Sequence, residues 1–284
     1  MSVHTTPEGA APTTPGPTPG QRVSIHDLSA YKQRGERFTM LTAYDHLSAQ
    51  ILDEAGVPVI LVGDSLGMVM LGYESTVAVT MDEMLHHTRA VSRGARNSLV
   101  VGDMPFGSYQ DGPSQALANA TRFLKEAGAN AVKLEGGGDM VEVTAKLVHS
   151  GIPVMAHLGL TPQSVNQFGG YKVQGGTGDA ATRIGRDARA LEEAGAFALV
   201  LECVPAEVGR TVTEALSIPT IGIGAGPATD AQVLVWHDLL GLTRGRLPRF
   251  VKAYADLRSH ITDAVRTFQH EVADAEYPGP EHSY

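Results

Sequence analysis

The sequence predicts an α/β protein, a single-domain (β/α)8 TIM barrel. Three observations predict it. Short apolar runs alternate with helix-like segments along the chain. Charged side chains stand at the ends of five of these runs: Asp64 after Val59-Ile60-Leu61-Val62, Asp103 after Leu99-Val100-Val101, Lys133 and Glu135 after Ala131-Val132, His157 after Pro153-Val154-Met155, and Glu202 after Leu199-Val200-Leu201. A Glu-Ala-Gly unit recurs at Glu54, Glu126 and Glu193, about two βα units apart. Apolar runs this short read as strands buried on both faces. A charge at the end of such a strand is costly unless it is paired, metal-bound or used. Five strands ending this way point to one site at one end of a parallel barrel.

The elements follow in order. Residues 1–22 are rich in Pro, Thr, Gly and Ala and lack a basic cluster and an apolar core. They read as a disordered extension and not as a secretory signal. Residues 23–284 read as the barrel with a C-terminal helical extension. Strands are expected near 38–44, 57–64, 98–104, 131–135, 153–158, 198–203, 219–224 and 233–238. Thr80 to Glu83 is a capping box that opens a helix through Met84, Leu85, Thr88 and Val91. Ser114 to Lys125 and Thr182 to Glu193 carry Ala and Leu at helical spacing, and Gly128 and Gly195 follow as C-terminal stops. No Rossmann fingerprint follows the first strand. Gly222-Ile223-Gly224-Ala225-Gly226, at the end of the seventh strand, is either an anion site or a tight βα turn. Beyond Arg244, Arg246, Arg249 and Lys252, the residues Leu257, Ile261, Val265 and Phe268 share one helix face. That face is expected to pack on the barrel or on a neighbouring subunit.

Composition removes several functions. The chain has 284 residues and a formal net charge of −9, without the basic stripe of a nucleic-acid binder. No run approaches the roughly 18 apolar residues of a membrane span. The single cysteine, Cys203, allows no intrachain disulfide and fits a reducing cytoplasm. It reads as a small buried core residue rather than a nucleophile.

Side-chain parity sharpens the candidate site. Lys133 and Glu135 are two residues apart on one strand and share a face, opposite Val132 and Leu134. Two charges belong at the polar mouth of the interior. Glu202 is assigned by the same rule to the face of Val200 and Val204. Asp64, Asp103 and Glu135 then form three carboxylates at one mouth, where a cation is expected. Oxygen ligands favour Mg2+. Zinc is disfavoured because no cysteine is suitably placed and His86 and His87 diverge on a helix. A 2-oxo acid would chelate the metal, with Asp64, Ser65, Asp103, Lys133 and His157 as candidate contacts. His157 either hydrogen-bonds the substrate or orients a neighbour. A Schiff base on Lys133 is the lesser alternative, because adjacent carboxylates keep the amine protonated. Glu202, read as isolated among apolar neighbours, suits a general base that removes a proton from carbon.

Several segments resemble the ketopantoate hydroxymethyltransferase family. They include Leu41-Thr42-Ala43-Tyr44-Asp45, Val62-Gly63-Asp64-Ser65-Leu66-Gly67-Met68 and Val132-Lys133-Leu134-Glu135-Gly136-Gly137. The block from His157 to Gly175, with Leu160-Thr161-Pro162-Gln163-Ser164-Val165-Asn166, is the most specific. The resemblance runs from about residue 25 to the end. It implies a (β/α)8 barrel, Mg2+, and hydroxymethyl transfer from 5,10-methylenetetrahydrofolate to 2-oxoisovalerate, giving 2-dehydropantoate in the first step of pantothenate synthesis. It also implies metal binding by Asp64 and Asp103, with Glu135 joining directly or through water. Ser65 and Lys133 hold the oxo acid and Glu202 is the base. Homo-oligomers, commonly decamers, are implied as well. Tyr171 and Phe168 are candidates to line a pterin slot. Arg244-Gly245-Arg246-Leu247 is more basic than the family pattern. The nearest rival is another Mg2+-dependent 2-oxo acid lyase or mutase of the phosphoenolpyruvate mutase and isocitrate lyase type. Those enzymes often use a loop cysteine, whereas Cys203 sits in a strand. A second rival is a barrel that has lost catalysis; the retained carboxylates argue against it.

Overall fold

Eight parallel strands close into a barrel in sequence order. They are β1 (Phe38–Thr42), β2 (Val59–Val62), β3 (Leu99–Asp103), β4 (Ala131–Glu135), β5 (Val154–Gly159), β6 (Ala198–Glu202), β7 (Thr220–Ile223) and β8 (Ala231–Leu234). The computed structural model describes residues 20–245 and 247–284. The extension expected over 1–22 lies outside the described residues up to residue 19, and so does Arg246. Arg22 is already tied to the barrel, donating to Ala95 O (2.7 Å) and Asn130 Oδ1 (3.1 Å).

Parity sorts the strand residues into two cores. Phe38, Met40, Val59, Leu61, Leu99, Val101, Ala131, Met155, Ala198, Val200, Ile221, Ala231 and Val233 fill the barrel interior. The alternate residues, such as Ile60, Val100, Val132 and Leu134, pack beneath the outer helices. The helix Ile25–Gln33 closes the amino-terminal end, burying Leu28 and Tyr31 against the interior residues. Its capping box joins Ser24 and Asp27. The mouth at the carboxyl ends is thereby left as the interior's polar end.

The helices begin and stop for local reasons. Thr80 and Glu83 form the expected capping box of the helix Met81–Gly94. The helix Pro113–Lys125 opens on proline at its first turn. Thr177 caps the helix Gly178–Glu193 ahead of the predicted start at Thr182. The three Glu-Ala-Gly units end helices with Gly56, Gly128 and Gly195 at positive φ, the left-handed exit that glycine permits.

One expectation is corrected and another is narrowed. The eighth strand, expected over 233–238, runs Ala231–Leu234. The apolar Val235-Trp236 continuation leaves the sheet, because Trp236 N–H donates to Thr42 Oγ1 (2.9 Å) and starts the short helix Trp236–Leu239. Gly224 lies at φ +66°, and a Cβ there would meet the Phe250 ring at 2.7 Å. Glycine is therefore what lets the Phe250 ring pack against this turn. The helix Leu257–Ala273 buries no residue in this chain, and Ile261, Val265 and Phe268 are half exposed. Of the two packing partners expected for that face, the barrel is ruled out.

Candidate active site

Asp103, Lys133, Glu135, His157 and Glu202 all project into the barrel mouth, because each shares parity with interior residues of its strand. Asp64 reaches the mouth differently. The chain leaves β2 after Val62, and Gly63-Asp64 turns inward, so that Asp64 N–H donates to Asp103 Oδ2 (3.3 Å). Ser65 follows and meets the buried Tyr44 hydroxyl at 2.8 Å.

One cation ties the acids together. Lys133 Nζ donates to Asp103 Oδ1 at 2.6 Å and lies 3.6 Å from Glu135 Oε1. Burial opposes its charge, but Asp103, Glu135 and Asp64 overcome this and hold the ammonium above its ordinary value. A protonated amine at neutral pH disfavours the Schiff-base alternative. His157 stands between two carboxylates, Nδ1 3.3 Å from Glu135 Oε1 and Nε2 3.3 Å from Glu202 Oε2. Neither contact has hydrogen-bond alignment; both are at ion-pair distance. Burial and Lys133 push the imidazole down, yet Glu135 and Glu202 raise it to about 9.

The acids separate by position. Burial raises Asp64 well above the usual carboxylate range, and Asp103 and Glu135 add to it. Burial also raises Asp103, with Lys133 opposing. Glu135 is lowered: burial acts upward, and Lys133 with His157 outweighs it.

The sequence reading of Glu202 needs revision. Cys203 sits in the left-handed region at φ +48°, which breaks strand alternation. Val204 therefore packs with the outer helical cluster and not on the face of Glu202. Glu202 is not isolated among apolar groups, because it faces His157. Cys203 is only half buried, and burial followed by Glu202 pushes its thiol up to about 11, so it is no ready nucleophile.

Two site residues escaped the sequence reading. Gln163 donates from Nε2 to Asp64 Oδ2 (3.0 Å), and from its backbone N–H to Glu135 Oε2 (3.1 Å). The Tyr109 hydroxyl donates to Gln163 Oε1 (2.6 Å) and accepts from Glu135 N–H (3.0 Å). Both lie on loops beyond strand ends, where charge and parity give no signal. For Gln163 the available cue was its place inside the His157–Gly175 block.

The donor set fits Mg2+ in part as expected. Among the described residues no three or more His, Cys, Asp or Glu gather into a ready metal cage. Both oxygens of Glu135 have protein partners, Lys133, His157 and Gln163. Asp64 and Asp103 remain a neighbouring pair of hard oxygen donors, and Mg2+ asks for only one or two carboxylates plus water and substrate oxygens. A cavity of about 530 Å3 opens beside Glu135, lined also by Tyr109 and Gln163 and by Phe106, Met140 and Phe168. Tyr171 does not line it; it is half exposed, with its hydroxyl 3.7 Å from Met68 Sδ, and near enough to Asp64, Glu202 and Glu135 for their charges to add to the upward push of burial.

Residues 22–280 match the family model described as ketopantoate hydroxymethyltransferase. The chain belongs to the ketopantoate hydroxymethyltransferase family. It is 56% identical to the 3-methyl-2-oxobutanoate hydroxymethyltransferase of Thermobifida fusca, with all of both chains covered. It is 58% identical to that of Streptomyces coelicolor over 263 residues, 93% of this chain and 90% of that one. The family is one of transferase enzymes, so a barrel without catalysis is set aside. Solved structures share the fold at low identity. A phosphonopyruvate hydrolase in complex with oxalate and Mg2+ gives a TM-score of 0.58 at 15% identity, covering 91% of this chain and 92% of that one. A 2,3-dimethylmalate lyase of the PEP mutase/isocitrate lyase superfamily gives 0.55 at 16%, covering 90% and 92%. The rival class is thus a relative in architecture, and the family match lies elsewhere.

Proposed function

We propose that this chain transfers a hydroxymethyl group from 5,10-methylenetetrahydrofolate to 3-methyl-2-oxobutanoate, giving 2-dehydropantoate. The observation that carries this reading is the convergence of Asp64, Asp103, Lys133, Glu135, His157 and Glu202 at one barrel mouth, in a chain whose relatives at 56–58% identity are named 3-methyl-2-oxobutanoate hydroxymethyltransferase. Asp64 and Asp103 would hold Mg2+, with Glu135 reaching it through water. When bound, the metal supplies Lewis-acid stabilisation of negative charge on the 2-oxo group.

The residues divide the remaining work. Ser65 and Lys133 hold the oxo acid, and Lys133 balances its carboxylate. Glu202 removes the C3 proton, and the freed electron pair forms the enolate. His157 fixes Glu202 through Nε2 and is itself fixed by Glu135, so the base is oriented toward the substrate. One C–N bond of the methylene bridge opens to give an iminium, the freed nitrogen taking a proton, and the enolate carbon attacks its carbon; water then displaces the second nitrogen, its hydroxyl going to the carbon and its proton to the nitrogen, which frees tetrahydrofolate. The adjoining cavity has room for the folate ring system, with Phe168 in its wall and Tyr171 near the mouth acids. We also read the chain as a cytoplasmic homo-oligomer, a decamer by family resemblance; the exposed apolar face of the helix Leu257–Ala273 supports association. No described helix is long and apolar enough to cross a membrane.

The test is C3 proton exchange of 3-methyl-2-oxobutanoate in deuterium oxide, read by NMR. Wild type should exchange the proton and form product only with the folate donor. Glu202→Gln should bind Mg2+ and the oxo acid but lose exchange by about 100-fold or more. Full exchange in that variant would overturn the base assignment, and product formation without folate would overturn the donor.

A further inference from the structure

Gln163 is almost fully buried and uses its entire hydrogen-bonding capacity. A carboxamide has two N–H donors and an oxygen that accepts twice. Nε2 donates to Asp64 Oδ2 (3.0 Å) and to Met104 O (2.9 Å). Oε1 accepts from the Tyr109 hydroxyl (2.6 Å) and from Gln110 Nε2 (3.3 Å). The amide cannot be turned over. A flip would set its oxygen against a carboxylate and a carbonyl, and its N–H groups against the amide of Gln110.

The orientation of Tyr109 is fixed in turn. Its oxygen accepts the Glu135 N–H (3.0 Å), and its single proton goes to Gln163 Oε1 at 2.6 Å in preference to Glu135 O, the longer contact at 3.3 Å. A directed chain therefore runs from the β4 backbone through Tyr109 and Gln163 to Asp64. Gln163 N–H also holds Glu135 Oε2 (3.1 Å), leaving Oε1 to Lys133 and His157. The residue sits on the short turn Pro162–Ser164 after β5, so one loop grips acids from two other strands.

We infer that Gln163 is a positioning residue for the metal pair. It occupies Oδ2 of Asp64 and so leaves Oδ1, which has no hydrogen-bond partner among the described residues, to a ligand, while the Asp64 backbone N–H ties the residue to Asp103 Oδ2 (3.3 Å). The inference rests on the proposed metal role of Asp64. A carboxylate held by a donor on its far oxygen pays less to become a ligand, and partners of this kind are worth about 10–100-fold in metal affinity.

The experiment is titration calorimetry of the full chain with Mg2+ and with Mn2+. Gln163→Met keeps the volume and removes the donors; it should weaken affinity by about 10–100-fold. Tyr109→Phe frees the amide and should weaken affinity by a smaller factor in the same direction. A residue that only supported the fold would lower thermal stability and leave the affinity of the folded molecules unchanged. Affinity for Gln163→Met within about twofold of wild type overturns the inference. Should that variant fail to fold, unchanged affinity in Tyr109→Phe overturns it. Asp64→Asn separates the two readings: unchanged affinity there, or no binding by wild type, overturns the metal role itself.

Discussion

Lys133→Met removes the only ammonium that the described residues place among the acids of the barrel mouth. At an effective dielectric of about 20, charges 2.6 and 3.6 Å apart attract by about 6 and 5 kcal/mol. Against this stands the cost of burying an ammonium, several kcal/mol. The upward displacement of Lys133 says that attraction wins. Breaking a buried pair by removing one partner costs about 3–5 kcal/mol, because the other charge is stranded. That is a large share of a typical total of about 5–15 kcal/mol. Lys133→Met should therefore lose about 3–5 kcal/mol in urea denaturation at fixed protein concentration, neutral pH and with chelator present. Adding Asp103→Asn removes one stranded charge and should return about 1–3 kcal/mol. A single variant within about 1 kcal/mol of wild type, or a double variant no more stable than the single, would refute the account.

Two further outcomes follow from other parts of the fold. Asp53 accepts from Asn97 N–H (2.9 Å), Asn97 Nδ2 (2.9 Å), Ser98 N–H (2.7 Å) and Ser98 Oγ (2.7 Å). Burial acts to raise it, but these donors lower it overall, so its contribution is complete above about pH 4 and is lost as pH falls through its folded value. Asp53→Asn should cost about 2 kcal/mol at pH 7 and progressively less in acid; a pH-independent difference would contradict this. Val265→Asp places a charge on the exposed apolar helix face and should weaken self-association about tenfold or more, measured by sedimentation equilibrium, while the barrel's circular dichroism stays unchanged. Unaltered association would remove that face from the interface.

The barrel and most of its mouth were legible in the sequence because two simple rules govern them. Buried parallel strands are short apolar runs, and alternate residues share a face. Lys133 and Glu135 obey the second rule without exception, and so do Asp103 and His157. The rule failed where the backbone departs from a strand. Cys203 at positive φ throws Val204 to the outer core, so the apolar surroundings expected for Glu202 do not exist. The eighth strand was misplaced for a related reason: an apolar stretch at Val235-Trp236 serves a helix start instead of the sheet. Gln163 and Tyr109 were invisible because neutral groups on loops carry neither a charge nor a period.

The same geometry explains why the acids at one mouth are not equivalent. Glu135 lies between Lys133 and His157, so its negative charge is already met. Asp103 has Lys133 at 2.6 Å and is partly met. Among the described residues Asp64 has no cation in contact, and its one side-chain partner is the neutral amide of Gln163. Four acids, Asp64, Asp103, Glu135 and Glu202, share two cations, and the unmet charge falls on Asp64. A divalent cation at that end would close the balance, and no third carboxylate is needed for it to do so. The neutrality of Gln163 then has a purpose. A lysine at that position would satisfy Asp64 and compete with the metal, whereas an amide orients the carboxylate and leaves its charge available.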